Sequence, residues 1–156
     1  MIMKTLEIRQ ATRADFNAVI ELCKSTLAVT YNAFLDVEVI KPWAEGDKLD
    51  KYIRSRLGSL LVAVDHNDGI SGVAAVEDAL IGLLWVAPDR RGEGIGKVLV
   101  ETAEALIRER GHMRLRVEVF APNIGAIRFY ERHGWTRQDT YREPSSGVDM
   151  IRMVKE

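Results

Sequence analysis

The sequence predicts a mixed α/β fold: a mostly antiparallel sheet of about seven strands with helices on both faces. Three observations carry this expectation. Three apolar runs of strand length follow one another over residues 59–86 with turn signals between them, the pattern of an antiparallel meander. Two long segments, 16–30 and 94–110, place their apolar residues at helical spacing on either side of that meander. The chain then closes with alternating strand patterns around a further helix.

Taken in order, Leu6-Glu7-Ile8-Arg9 alternates and ends at Ala11-Thr12, a first strand feeding a helix capped near Thr12. Phe16, Val19, Ile20, Cys23 and Leu27 share one face of that helix. Residues 31–47 lose the period and contain Pro42 and Gly46, so they read as a loop, and residues 48–57 form a short helix stopped by Gly58. Asn67-Asp68-Gly69 joins the first two apolar runs as a hairpin, and a tight turn at Glu77-Asp78 leads into the third, residues 79–86. The next helix carries Ile95, Val98, Leu99, Thr102, Leu106 and Ile107 on one stripe, with Gly111 as its cap. Residues 115–119 alternate strictly, Pro122-Asn123 opens a helix that Gly134 stops, and residues 136–142 and 148–154 make a last strand pair.

Composition narrows the function. A length of 156 residues reads as a single domain, 1–156, large enough to fold without a metal or disulfide staple. The 22 Lys+Arg against 23 Asp+Glu argue against a nucleic-acid binder, which carries a basic excess. No apolar run approaches the roughly 18 residues of a membrane span, and Glu7 and Arg9 interrupt anything resembling a signal peptide. The lone Cys23 sits in an apolar stretch as a buried thiol of a reducing compartment, and neither His112 nor His133 has a partner at metal-ligand spacing, so no metal site is expected. The expectation is a cytoplasmic protein.

The most informative segment is Arg90-Arg91-Gly92-Glu93-Gly94-Ile95-Gly96-Lys97, between a strand and a long helix. Closely spaced glycines let the backbone approach a ligand, and the unpaired N–H groups of a helix start carry about half a positive charge, which suits a phosphate or pyrophosphate. A Walker loop fails because Arg91 holds its glycine position and Val98 its Ser/Thr position. The dinucleotide fingerprint fails because Lys97 stands where its third glycine belongs. Arg91-x-x-Gly94-x-Gly96 after Val86-Ala87-Pro88, followed by Asn123-x-x-Ala126-x-x-Phe129-Tyr130-Glu131-x-x-Gly134-Trp135, resembles the two motifs of the GNAT superfamily of acetyl-CoA-dependent N-acetyltransferases. The order of elements from Ile8 to Met153 is similar to that fold as well.

The resemblance implies a splayed pair of parallel strands at the sheet centre, between which the pantetheine arm of acetyl-CoA lies. Leu84, Trp85 and Val86 would then bind pantetheine and the thioester carbonyl, Gly92, Glu93, Gly94, Ile95, Gly96 and Lys97 the pyrophosphate with Arg91 adding charge, and Asn123 the coenzyme. Tyr130 stands where the family places an acid for the departing thiolate. The alternative role for Tyr130 is to complete an apolar face with Ile127 and Phe129. Strand alternation sets Glu118 apart as a charged residue of a central strand, either paired with Arg114 or Arg116 or acting as the base that deprotonates the acceptor, with Glu77 and Asp78 as alternates in a turn. Trp85 and Trp135 also read as packing residues.

For the acceptor, the resemblance points to the segment joining the first two helices and to the late hairpin. Residues 31–50 hold Asp36, Glu38, Glu45, Asp47 and Asp50 against Lys41 and Lys48, a balance favouring a cationic amine, with Tyr31, Phe34 and Trp43 as an aromatic wall. A solvated acidic loop is the alternative. The hairpin element is Tyr141 to Asp149, which contains the flexible Pro144-Ser145-Ser146-Gly147. Two readings follow: an N-acetyltransferase acting directly on the primary amine of a small molecule or peptide, or a non-catalytic acyl-CoA-binding sensor. The resemblance also implies a homodimer as an accessible state, since the family often pairs through its late strands.

Overall fold

A computed structural model describes residues 6–67 and 69–156. Asp68, the middle of the expected hairpin turn, and residues 1–5 at the start of the chain lie outside the described residues. The elements run β1 (Leu6–Gln10), α1 (Phe16–Val29), α2 (Val37–Ala44), α3 (Lys48–Arg56), β2 (Leu60–Asp65), β3 (Gly69–Glu77), β4 (Leu80–Val86), α4 (Ile95–Glu109), β5 (Leu115–Phe120), α5 (Ile124–Arg132), β6 (Thr136–Arg142) and β7 (Asp149–Lys155). The strands form one sheet in the order β1-β2-β3-β4-β5-β7-β6, antiparallel throughout except where β4 meets β5. The expected mixed sheet with helices on both faces is the observed architecture.

Each face has its own core. Val19, Cys23, Leu49 and Ile53 of α1 and α3 pack on Leu60, Val62, Val73 and Ala75. Val100, Ala103 and Ile107 of α4 and Ile127 of α5 pack with Ile81, Leu115, Val117 and Met153 on the opposite face. Cys23 is wholly buried, and burial pushes its thiol up to about 12, so it is a packing residue.

Two expectations need correction. Residues 31–47 are not a loop: a 3-10 turn at Tyr31–Ala33 leads into α2, which keeps Pro42 inside it. Proline removes a helical hydrogen bond, but a helix this short is held by tertiary packing, and α2 turns Val39, Ile40 and Trp43 inward. Gly46 closes it tightly; a Cβ there would lie 2.6 Å from the Pro42 carbonyl oxygen. The buried stripe of α4 is also rotated, running through Ile95, Leu99, Val100, Ala103, Glu104 and Ile107, while Val98, Thr102 and Leu106 are only half-buried. Glu104 is drawn inward by the Trp135 indole N–H at 3.1 Å and the Lys155 ammonium at 2.8 Å.

Candidate active site

β4 and β5 are parallel partners only at Leu80–Arg116 and Ile81–Val117. Beyond those pairs the strands diverge, leaving the facing edges of residues 82–86 and 118–120 without a strand partner. Backbone N–H and C=O groups exposed this way seek hydrogen bonds as an open sheet edge does. A cleft of about 920 Å³ opens at the divergence.

One end of the cleft is the glycine-rich turn. Arg90 is fixed by Asp65 at 2.9 Å and Glu93 at 3.0 Å, so it anchors the turn, and the Glu93 side chain points to Arg90. Gly92 and Gly94 adopt φ of +82° and +86°, a conformation that L side chains resist. α4 then starts at Ile95 with no side-chain cap, so its first N–H groups and the positive end of its dipole are available to an anion. At Gly96 a Cβ would meet the Phe129 ring at 3.2 Å, which shows how closely α5 abuts this start. Arg91, Gly92, Gly94, Ile95, Gly96 and Lys97 all line the cleft, as do Leu84, Trp85, Val86 and Asn123. Unpaired amides, absent Cβ atoms and two cations fit a diphosphate, and the open edges of β4 and β5 fit an extended amide-bearing arm. Asn123 also caps α5, accepting from the Ala126 N–H at 3.3 Å.

The faces of the two diverging strands differ. Leu84 and Val86 point to α4, whereas Leu83 and Trp85 point to the α1–α3 side. On β5, Val117 and Val119 lie in the α4–α5 core, and Glu118 and Phe120 face the other way, where Phe120 meets Tyr31 at 5.9 Å and Phe34 at 5.6 Å between ring centroids.

Tyr130 belongs to the α4–α5 side. Its ring is held edge-on by Phe129 at 5.3 Å and Trp135 at 5.4 Å, and the residue is 5% exposed. No hydrogen bond from the described residues reaches its hydroxyl, yet no buried polar side-chain atom among them is both sealed and unpaired. The hydroxyl therefore opens on the cleft that Tyr130 lines. Burial raises its pKa, so the phenol stays protonated at neutral pH. Packing and an accessible proton coexist in this one residue.

Glu118 lies across the divergence on the opposite face and lines the cleft. Neither Arg114 nor Arg116 pairs with it: Arg114 binds Glu156, and Glu118 instead accepts a hydrogen bond from Tyr141 of β6. Burial and this carboxylate push the Tyr141 phenol up to about 12. Arg152, the β7 partner of Glu118, stacks on the Tyr141 ring and binds Asp139 at 2.9 Å, fixing the tyrosine. Tyr141 opens the hairpin that the sequence offers as an acceptor element, and the signal for its part beside Glu118 is an aromatic residue on an otherwise polar strand, TRQDTYR. The alternates Glu77 and Asp78 do not line the cleft, and Glu77 is paired with Arg56.

Tyr31 accepts from the Trp85 indole N–H at 2.9 Å and, with Trp43, lines the cleft, while Phe34 packs behind Tyr31 at 5.4 Å and does not. Trp85 thus serves both packing and lining, whereas Trp135 is a core residue. Of the two readings of the acidic segment, the solvated one fits: Asp36, Glu38, Glu45, Asp47 and Asp50 line no part of the cleft, because α2 and α3 present apolar faces to it. The described hairpin residues Glu143, Ser145 and Ser146 do line it. No cluster of metal-binding side chains is found among the described residues, and no described helix is long and apolar enough to cross a membrane.

Residues 30–135 match the model of the acetyltransferase (GNAT) family. The chain is similar to the spermidine N(1)-acetyltransferase of Thermoplasma acidophilum, with 26% identity covering 87% of this chain and 91% of that protein. It is also similar to the streptothricin acetyltransferase of Streptomyces lavendulae, 37% identical over 59% of this chain and 48% of that one. In fold it resembles the crystal structure of the PaiA N-acetyltransferase of Thermoplasma acidophilum in complex with coenzyme A, with a TM-score of 0.82 and 23% identity over 97% of this chain and 98% of that one.

Proposed function

The chain belongs to the acetyltransferase (GNAT) family, and from that premise we propose that it transfers the acetyl group of acetyl-CoA directly to a primary amine held in the same cleft. The observation that carries this reading is the divergence of β4 from β5, flanked by an uncapped glycine-rich helix start at one end and by Tyr130 and Glu118 on its two faces. The similarity to an N-acetyltransferase fold seen with coenzyme A supports the choice of donor.

In this reading residues 92–97 hold the diphosphate through backbone N–H groups, with Arg91 and Lys97 neutralising charge. The open β4 edge at Leu84 to Val86 hydrogen-bonds the pantetheine arm and supplies a donor to the thioester oxygen, where negative charge develops. Bound acetyl-CoA supplies an activated acyl group. An alkylammonium of pKa about 10.4 costs about 4 kcal/mol to deprotonate at pH about 7.4, and Glu118 takes that proton from the α1–α3 side. Tyr130, from the α4–α5 side, gives its proton to the departing thiolate. The amine nitrogen gains the acetyl carbon and the carbon–sulfur bond breaks; the nitrogen's second proton restores the Tyr130 phenol, so one proton leaves through Glu118 and the products are the acetamide and free coenzyme A.

The test is acetyl-CoA consumption against primary amines for wild type and Glu118→Gln. A base role predicts a kcat/KM loss of about 10²-fold or more and a lost acid limb of the pH profile. A Gln variant with the wild-type profile removes Glu118 from the mechanism. Coenzyme binding without turnover on any amine favours the sensor reading instead.

A further inference from the structure

The cleft's charge is distributed unevenly. Its cationic lining is Arg90, Arg91, Lys97 and Arg132, from the glycine-rich turn, α4 and α5, whereas every residue that α1, α2 and α3 contribute to it is uncharged. With Leu35, just ahead of α2, these residues form an apolar chamber whose walls include Val39, Ile40, Trp43 and Tyr52. Trp43 and Tyr52 meet edge-on at 6.0 Å, and Lys48 covers the Trp43 ring from 6.0 Å, so these rings are held in place. The five acids of residues 31–50 all turn away. Two carboxylates line the cleft: Glu118, on the β5 face that looks towards this side, with Tyr141 as its donor, and Glu143 of the β6–β7 hairpin, which accepts from Ser145.

We infer that the acceptor is an amine with a single positive charge flanked by a bulky apolar group, an arylalkylamine or a peptide N-terminus bearing a large apolar first side chain. The inference rests on the transferase reading above and assigns its acceptor. The ammonium is placed at Glu118 while the apolar group fills the chamber between α2 and α3. A polyamine lying in that chamber fits poorly, because an ammonium against Val39, Ile40 and Trp43 is desolvated with no counter-ion, and the second cleft carboxylate, Glu143, belongs to the β6–β7 hairpin and not to these walls.

The test uses the full chain with saturating acetyl-CoA and follows thiol release with phenethylamine, a leucine-initiated tetrapeptide and spermidine. Phenethylamine or the peptide is expected to exceed spermidine in kcat/KM by about tenfold or more, the two arms showing which source of the shared chemistry is used. Trp43→Ala is expected to raise KM for the preferred apolar amine by about tenfold while leaving KM for acetyl-CoA within about twofold. Spermidine preferred over both apolar amines overturns the inference, and so does a Trp43→Ala variant that raises KM for all three equally. Calorimetry on the coenzyme-A-loaded protein separates the two readings: binding of the apolar amine without turnover refutes the transferase and supports the acceptor class, whereas efficient turnover of spermidine does the reverse.

Discussion

Replacing Tyr130 with Phe removes one oxygen and leaves the ring in place. Because the hydroxyl takes no hydrogen bond from the described residues while the ring packs on Phe129 and Trp135, the fold loses no interaction. Stability should therefore change by only about 0.5 kcal/mol, well below the roughly 1 kcal/mol of a typical lost hydrogen bond. The rate should change much more. General acid catalysis contributes about 10² to 10⁴, and a phenol is a weaker acid than a thiol of pKa about 8.5, so full proton transfer is not strongly driven and the lower end applies. A kcat loss of about 100-fold corresponds to about 2.7 kcal/mol of barrier. Since burial raises the Tyr130 pKa above its ordinary 10, the acid form persists across the neutral range, and no alkaline loss of activity from this residue is expected below about pH 10. The assay is thiol release under saturating amine, with thermal unfolding as the control for folding. A variant with kcat within about threefold of wild type and an unchanged melting temperature would refute the acid role.

Two predictions concern stability. Glu104→Leu leaves the Trp135 N–H unpaired and the Lys155 ammonium with the His133 carbonyl at 2.8 Å but no counter-ion, and since the Lys155 side chain is 26% exposed and can turn partly to water, the cost should be about 2 kcal/mol, below the full penalty of a broken buried pair. The Glu104→Leu/Lys155→Met double variant should then unfold at a higher urea concentration than Glu104→Leu alone, and simple additivity would contradict the account. Asp15 receives both guanidinium nitrogens of Arg9, at 2.8 and 3.0 Å, which together with the Thr12 N–H hold its pKa at about 2 against an ordinary 3.8. A depressed folded-state pKa means stability present above about pH 4 and lost as pH falls through about 2; with Arg9 partly exposed and screened, about 1 kcal/mol is expected, and Asp15→Asn should flatten that part of the stability curve seen by denaturant titration.

How much of this was legible in the sequence follows from the range of the forces involved. The strand and helix order rests on local periodicity, and the glycine-rich turn rests on backbone freedom, so both could be read residue by residue. α2 was hidden because Pro42 and a length of eight residues mask a helix whose support comes from tertiary packing. The partner of Glu118 lies 23 residues away on a strand that is not its neighbour in the sheet, so Arg114 and Arg116 looked like nearer choices. Glu104 reads as a solvent-facing helix residue until Trp135 and Lys155 meet it in space. The acids of residues 31–50 were countable, but the direction they face depends on a helix that the proline concealed.

The central claim is that the donor occupies the gap between β4 and β5 with its diphosphate at the start of α4. Amide hydrogen exchange with and without acetyl-CoA tests it most directly. Protection should rise at residues 84–86, whose β5-facing edge is open, and at residues 92–97, while α2 and α3 stay unchanged until an amine is added. Protection confined to the α2–α3 chamber, or unchanged exchange at residues 92–97 with acetyl-CoA bound, would contradict the account.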